Sequence, residues 1–323
     1  MTNETLAEYA NLSLYSAMAV FTLAMLCHAA YLAGLLPARD RTAPDRELVA
    51  AGASTSTTRA ASGERGAGAT DDDVPLRARK AAGVASTTTW LGGLLLLACV
   101  VLRGLSVHRW PLGNMFEFAV MGSMFTVLAY SLWSTRRDLR WLGLFVTAPV
   151  LLVLGMALRV WYTEAAQVMP SLQSYWLVIH VTVAVLATAV FTIGAAATGI
   201  YLVKDAVQRA GRTSVLDRFP ETGAIERTAY GLHIVAFPLW TFTLIAGAIW
   251  ARQAWASYWN WDPKEVWTFV IWVVYAAYLH SRATSGISRQ TASYIALAGY
   301  ACVIVNFAVV NVFFVGQHSY SGL

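Results

Sequence analysis

The sequence predicts an all-α, polytopic membrane protein of about eight transmembrane helices with both termini outside, and three observations lead there. Hydrophobic residues make up 57% of the 323 positions, charged residues only 13%, and the mean hydropathy is +0.53. No ordinary soluble domain has that balance. Apolar stretches of about 20 residues, the length a helix needs to cross the hydrocarbon, recur at 13–36, 86–106, 115–134, 141–160, 175–203, 229–250, 267–282 and 291–315. Of the 23 Lys and Arg, all but Arg103, Arg109, Arg159, Arg252 and Lys264 fall in the segments 37–85, 135–140, 204–228 and 282–290. Short cytoplasmic loops concentrate such residues, so these four segments are inside. The net charge of +5 therefore reflects topology and needs no nucleic-acid partner.

The first unit, 1–36, opens MTNETLAEYANLS, with two glutamates and no Lys or Arg, and has no small-residue cleavage site near Pro37. It reads as a retained first span, not a signal peptide. His28 lies near its cytoplasmic end; a lone intramembrane histidine is more often packed than ligating, although it merits a functional check. Segment 37–85, including AGASTSTTRAASGERGAGATDDDV, has almost no large apolar side chains. It cannot bury a core and reads as a disordered cytoplasmic linker. The third unit, 86–323, carries the other seven spans and the chemistry. Cys27, Cys99 and Cys302 all fall inside spans and form no Cys-x-x-Cys pair, which suits apolar packing and excludes thiol–disulfide exchange.

After the second span comes RGLSVHRWPLGNMFEF. Pro111 and Gly113 break the chain, Asn114 can cap the next helix, and Glu117 falls in its first turn, where the helix dipole favours a carboxylate. His108, Arg109 and Glu117 also border the outer surface. The fourth span ends in the polar LRVWYTEAAQVMPSLQS and the fifth opens YWLVIHV, which puts His180 about five residues, or ~8 Å, below that surface. In AYGLHIVAFPLWTFTLIAGAIW, His233 sits near the cytoplasmic end and reads as structural. Pro238 predicts a kink that neighbouring helices tolerate.

The chain is organised around 250–267, WARQAWASYWNWDPKEVW, where Trp250, Trp255, Trp259, Trp261 and Trp267 crowd together with Tyr258, Asp262, Lys264 and Glu265. An interfacial belt usually places one or two aromatics at each helix end. This concentration instead suggests a platform for a large, flat, mostly apolar ligand with polar groups at one edge. Thirteen residues separate Trp267 from His280, about 20 Å along a helix, so His280 cannot share a ligand with the loop. Phe269, Val273, Ala276 and Ala277 line up with His280 at about 100° per residue, giving a face of small or flat side chains. Beyond the last span, VFFVGQHSYSGL ends the helix at Gly316 and presents His318 on a short outer tail.

WASYWNWDPKEVWTFVIWVVYAAYLHSR resembles the WWD-domain haem-handling proteins of cytochrome c maturation, most of all the CcsA (ResC) branch of the System II pathway. The family pattern is Trp-Gly-x-Tyr-Trp-x-Trp-Asp-Pro-Lys-Glu, and only its glycine differs here, being Ala256. The similarity runs to the C-terminus and back through SYWLVIHV, with weaker agreement at PLGNMFEF, over roughly the last two-thirds of the chain. It implies haem b as ligand and substrate. It also implies an outer site in which His180 and His318 are the axial ligands of one iron, with Trp255, Tyr258, Trp259, Trp261 and Asp262 about it, and an inner, membrane-embedded site at His280. The partners it implies are a ResB-like (CcsB-type) membrane subunit, which supplies the histidine opposite His280, and an apocytochrome c bearing Cys-x-x-Cys-His. His28 is the internal competitor for the first role. The resemblance further implies a multi-pass protein in the lipid of the bacterial plasma membrane, with the tryptophan loop and C-terminus on the extracytoplasmic side.

The chemistry is consistent with these residue types. Neutral imidazole is a haem-iron ligand at physiological pH, and tryptophan supplies stacking surface. Arg109 is available to a propionate through charge-assisted hydrogen bonds, and Lys264, Asp262 and Glu265 are the other polar groups at that edge. Joining the vinyl groups to cysteine thiols needs reduced iron and orientation more than a general base. The resulting reading is the haem-transporting subunit of a cytochrome c synthase. A haem exporter or chaperone without attachment activity is the rival; the Asp-Pro-Lys-Glu extension, eight spans instead of six and the C-terminal Gly-Gln-His-Ser-Tyr stand against it. A respiratory membrane cytochrome would place paired histidines at comparable depth on facing helices.

Overall fold

A computed structural model describes residues 3–35, 74–169 and 172–318. These form eight long helices: α1 (Glu4–Gly34), α2 (Leu76–Val107), α3 (Met115–Ser134), α4 (Gly143–Val160), α5 (Tyr175–Arg209), α6 (Thr222–Trp255), α7 (Pro263–Ala283) and α8 (Arg289–Ile304). α8 continues through a π-helical turn, Val305–Val310, into Asn311–Phe313. Among the described residues there is no strand. Seven of the eight helices are long and apolar enough to cross a membrane. The remaining one, α7, carries Lys264 and Glu265 in its first turn and His280 and Arg282 in its last. The chain is thus an all-α, multi-pass membrane protein.

Helix number and order match the sequence expectation, but several helices outrun their apolar stretches. α2 begins at Leu76 and not at 86, α5 extends to Arg209, and α6 starts at Thr222. Hydropathy reports the part of a helix that lies at hydrocarbon depth, whereas Arg77, Arg79, Lys80 and Ala81 are good helix formers that carry the backbone bonds past it. The described end of the predicted 37–85 linker, from Leu76 on, is therefore helix; 37–73 lies outside the described residues. α6 runs without interruption through Pro238.

Short polar residues start the helices where the sequence places them. The side chains of Asn3, Asn114, Ser174 and Ser288 accept from the first-turn amides of Leu6, Glu117, Trp176 and Thr291, satisfying donors that have no partner inside the helix. Hydrogen bonds between connections hold one end of the bundle together. Asn3 N donates to Ser106 O (2.8 Å), Asn11 Nδ2 to Tyr162 Oη (2.9 Å), Gln167 Nε2 to Val107 O (2.7 Å), and Ser174 Oγ to Gln253 Oε1 (2.8 Å). Asn260 Nδ2 adds a bond to Gln317 Oε1 (3.1 Å), so the tryptophan loop and the tail sit at this same end.

Small residues let the helices approach closely, as in membrane bundles generally. Phe21 of α1 lies over Gly92 of α2, where an added Cβ would come within 2.6 Å of its ring. His28 is buried against Gly143, with Nε2 3.2 Å from Thr89 Oγ1, and that hydroxyl donates its own proton to Ala85 O. His233 repeats the arrangement against Gly194, bonded to Thr198 Oγ1 at 3.1 Å while that hydroxyl donates to Gly194 O. Both are packed core histidines. At the end away from the tryptophan loop, buried Glu226 of α6 accepts from Arg282 Nε (2.7 Å) and Nη2 (3.1 Å) of α7.

Candidate functional site

One cavity of about 190 Å³ dominates the tryptophan-loop end. α5 contributes His180, α6 Trp240 and Gly247, the loop Tyr258 and Trp259, and the tail His318. The N-terminal part of α3 supplies an apolar wall around Phe118, and α7 with the π-helical turn of α8 supplies a polar one: Lys264, Glu265, Thr268 and Asn306.

The two histidines reach this cavity by different routes and are held in the same way. His180 is half-buried in the second turn of α5, and its Nδ1 lies 3.0 Å from Thr243 O. A backbone carbonyl only accepts, so Nδ1 carries the proton and Nε2 keeps its lone pair. Gly247, one turn beyond Thr243, leaves room for the ring: an added Cβ would lie 2.7 Å from His180 Cε1. His318 Nδ1 lies 2.8 Å from Asp262 Oδ2, again leaving Nε2 free. Both imidazoles contact Trp250, His180 stacked on it with centroids 6.0 Å apart and His318 edge-on at 5.7 Å. Trp255 backs His318 at 4.8 Å.

Asp262 is the anchor of this corner. As the N-cap of α7 it accepts from Lys264 N (3.1 Å), and it also accepts from Gln317 N (2.6 Å) and His318. Glu265 reaches back to Asp262 N (3.1 Å) and Asn260 N (2.8 Å), completing a capping box with Pro263 at the first helical position. Gly316 is required for the tail to approach, since a Cβ there would meet Asp262 Oδ1 at 2.2 Å. Burial alone would raise the Asp262 carboxyl, but the hydrogen bond and charge of His318, with the amides of Gln317 and Lys264, outweigh it and hold it below the usual carboxylate range. A depressed carboxylate contributes stability above its ordinary value and loses it as pH falls through the folded-state value. The clasp on the tail therefore holds at neutral and mildly acidic pH.

The loop turns through two left-handed residues, Ala256 (φ 60°) and Trp261 (φ 57°). Ala256 is a position that favours glycine, because an L side chain is disfavoured in this conformation. Ala256→Gly should raise stability by about 0.5–1 kcal/mol, read as a higher thermal unfolding midpoint in detergent; a lowered midpoint would refute this. Tyr258 and Trp259 line the cavity, whereas Trp261 is 77% exposed and meets Trp259 edge-on.

The remaining candidates are not brought into the cavity. Arg109 donates to both Glu117 oxygens (2.9 and 3.0 Å), to Ala166 O and to Trp110 O, and Arg103 adds a bond to Glu117 at 2.9 Å. Glu117 is 2% exposed and also accepts from Gly113 N. This cluster braces the loop before α3 beside the cavity, and both guanidinium groups are turned to Glu117 and to backbone carbonyls. Removing a buried pair's partner costs about 3–5 kcal/mol, so Glu117→Ala should lower yield and thermal midpoint; an unchanged midpoint would contradict a bracing role. His280 is exposed near the far end of α7, on a face with Phe269, Val273 and Ala277. His28, buried among α1, α2 and α4, does not join it.

Sequence reasoning missed the Thr243 carbonyl, Gly247, Asn306 and the capping role of Asp-Pro-Lys-Glu. The last was available as an Asp-x-x-Glu capping box with Pro at the first helical position; the others are tertiary juxtapositions.

A family model described as Cytochrome C assembly protein matches residues 85–318. "Cytochrome c biogenesis protein CcsA" of Guillardia theta is 31% identical over 259 residues, covering 72% of this chain and 85% of that one. The protein of the same name from Synechococcus sp. (strain RCC307) is 32% identical over 259 residues, covering 70% and 81%. Among solved structures, "Cytochrome c Heme Lyase CcmF" superposes over 100% of this chain with a TM-score of 0.61 at 17% identity. The chain spans about half (48%) of that larger protein, and the likeness is one of fold.

Proposed function

Because the chain belongs to the cytochrome c assembly protein family, in its CcsA branch, we propose that within cytochrome c maturation it carries haem b across the bacterial plasma membrane and offers it, in the outer cavity, to an apocytochrome c. The observation that carries the reading is the pair of histidines on one cavity, each with Nδ1 engaged and Nε2 free. A carbonyl or carboxylate bonded to the far ring nitrogen orients a ligating imidazole and raises its basicity. Tyr258 and Trp259 supply stacking surface, and exposed Trp261 extends it beyond the cavity mouth.

When bound, haem supplies the iron that the histidines hold and the vinyl groups that become thioethers. The chain's own contribution is orientation. His180 sits on a rigid helix, whereas His318 rides on a short tail clasped by Asp262, so His318 is the ligand more easily displaced by the acceptor's Cys-x-x-Cys-His histidine. His280, exposed on α7, is the inner receiving point, and a ResB-like subunit supplies the opposing ligand; its exposure supports a partner from outside this chain.

The test is covalent haem on a Cys-x-x-Cys-His reporter, in a host lacking its own maturation pathway, with the chain expressed alone and with a ResB-like subunit. Attachment that needs both chains supports the synthase reading. Haem that co-purifies while the reporter stays bare in every combination favours an exporter.

A further inference from the structure

Of the polar groups at this corner, Asp262 and Glu265 are acidic and taken up by the tail and the loop, and Arg109 is committed to Glu117. Among the described residues lining the cavity, Lys264 is the only lysine or arginine. Its Nζ donates to Asn306 O at 2.6 Å, and no ion pair joins it to a carboxylate among the described residues. An ammonium has three donors, so two are left without a partner among the described residues. The wall they share is polar and incompletely satisfied: Asn306 Nδ2 donates to Thr268 Oγ1 (3.2 Å), while Asn306 Oδ1 is buried with none. It is built on the π-helical turn Val305–Val310, a distortion found often at functional sites. An ammonium on a mostly apolar cavity with few acceptors is costly unless an anion completes it.

We infer that Lys264 is the carboxylate anchor of the outer cavity. It pairs with a propionate of the bound haem, and so sets the rotation of the macrocycle in its plane and the edge left for the acceptor's thiols. This rests on the haem-binding reading above. A carboxylate here accepts the two unused Nζ donors in charge-assisted bonds, while the iron is held independently by His180 and His318.

The experiment titrates the purified full-length chain in detergent with haem and with haem dimethyl ester, whose propionates are uncharged. Binding is followed by tryptophan quenching and the iron's absorption spectrum. The wild type should bind haem about tenfold or more tighter than the ester, the scale of one charged hydrogen bond. Lys264→Met should bind both forms alike, at the ester's affinity, and still give the two-histidine spectrum, which separates a lost anchor from a misfolded cavity. Lys264→Arg should keep part of the preference. A Lys264→Met variant that retains the full preference overturns the anchor and leaves the haem-binding reading standing. A wild type that takes up neither form overturns that reading, and the anchor with it.

Discussion

Replacing His318 with glycine should remove the two-histidine absorption spectrum of haem in the outer cavity and lower covalent attachment to the reporter by about tenfold or more, and added imidazole should restore both. The expectation follows from where the side chain sits. His318 is the last described residue of the tail and lies outside any helix, and its ring is held by one bond to Asp262 and by edge contacts with Trp250 and Trp255. Its removal empties a space the size of an imidazole without disturbing the bundle. His180→Gly should give the same spectral loss, because that ring too is a discrete group seated over Gly247. The comparison also tests the proposed division of labour. If His318 is the ligand that the acceptor displaces, its variant should be rescued for attachment by a lower imidazole concentration than the His180 variant. A spectrum unchanged in both single variants would remove the outer site from consideration.

Asp262→Ala should be almost as damaging without touching the iron. The carboxylate serves three donors at once, two of them on the tail and one in the first turn of α7. Loss of the cap alone costs α7 about 1 kcal/mol, and loss of the group that holds a ligating histidine's other nitrogen typically lowers metal affinity by about 10–100-fold. Haem affinity should therefore fall within that range, with the spectrum shifting toward a single-histidine form, while helical content measured by circular dichroism stays the same. Asp262→Asn should be milder, since the amide oxygen still accepts from Gln317 N but no longer holds His318 with a charge. Wild-type affinity and spectrum in Asp262→Ala would show that the tail docks by other means.

How much of this was legible in the sequence differs from residue to residue. The tryptophan loop and His318 could be read as parts of a site because their chemistry has no other local use: aromatics in excess of a belt, and a histidine on a polar tail. Arg109 and Glu117 were legible as a helix start, and Asn114 caps α3 as expected. Their further reading as cavity groups failed to anticipate Arg103, which lies fourteen residues from Glu117 and one helix away. A salt-bridge partner across a helix interface leaves no trace in periodicity. Lys264 is the converse case. In the sequence it was one of four interchangeable polar groups, and only the committed hydrogen bonds of the other three single it out.

The sequence by itself determined that this chain is a bundle of about eight membrane helices, and which short polar residues cap several of them, but not how far α2, α5 and α6 run past their apolar stretches. Hydropathy, charge asymmetry and capping residues act over one or two turns, and a chain in lipid must satisfy its backbone within each helix. It also supplied the aromatic and histidine side chains on which the proposed haem site rests. What only the tertiary structure decided is which of them share a cavity and with which atom free. His180, His318 and Lys264 come from α5, the tail and α7, and the tautomers of both histidines are set by partners 63 and 56 residues away. Such pairings arise from how whole helices pack, because close packing of small residues such as Gly247 and Gly316 against a particular ring or carboxylate is a property of two surfaces together and of neither sequence segment alone.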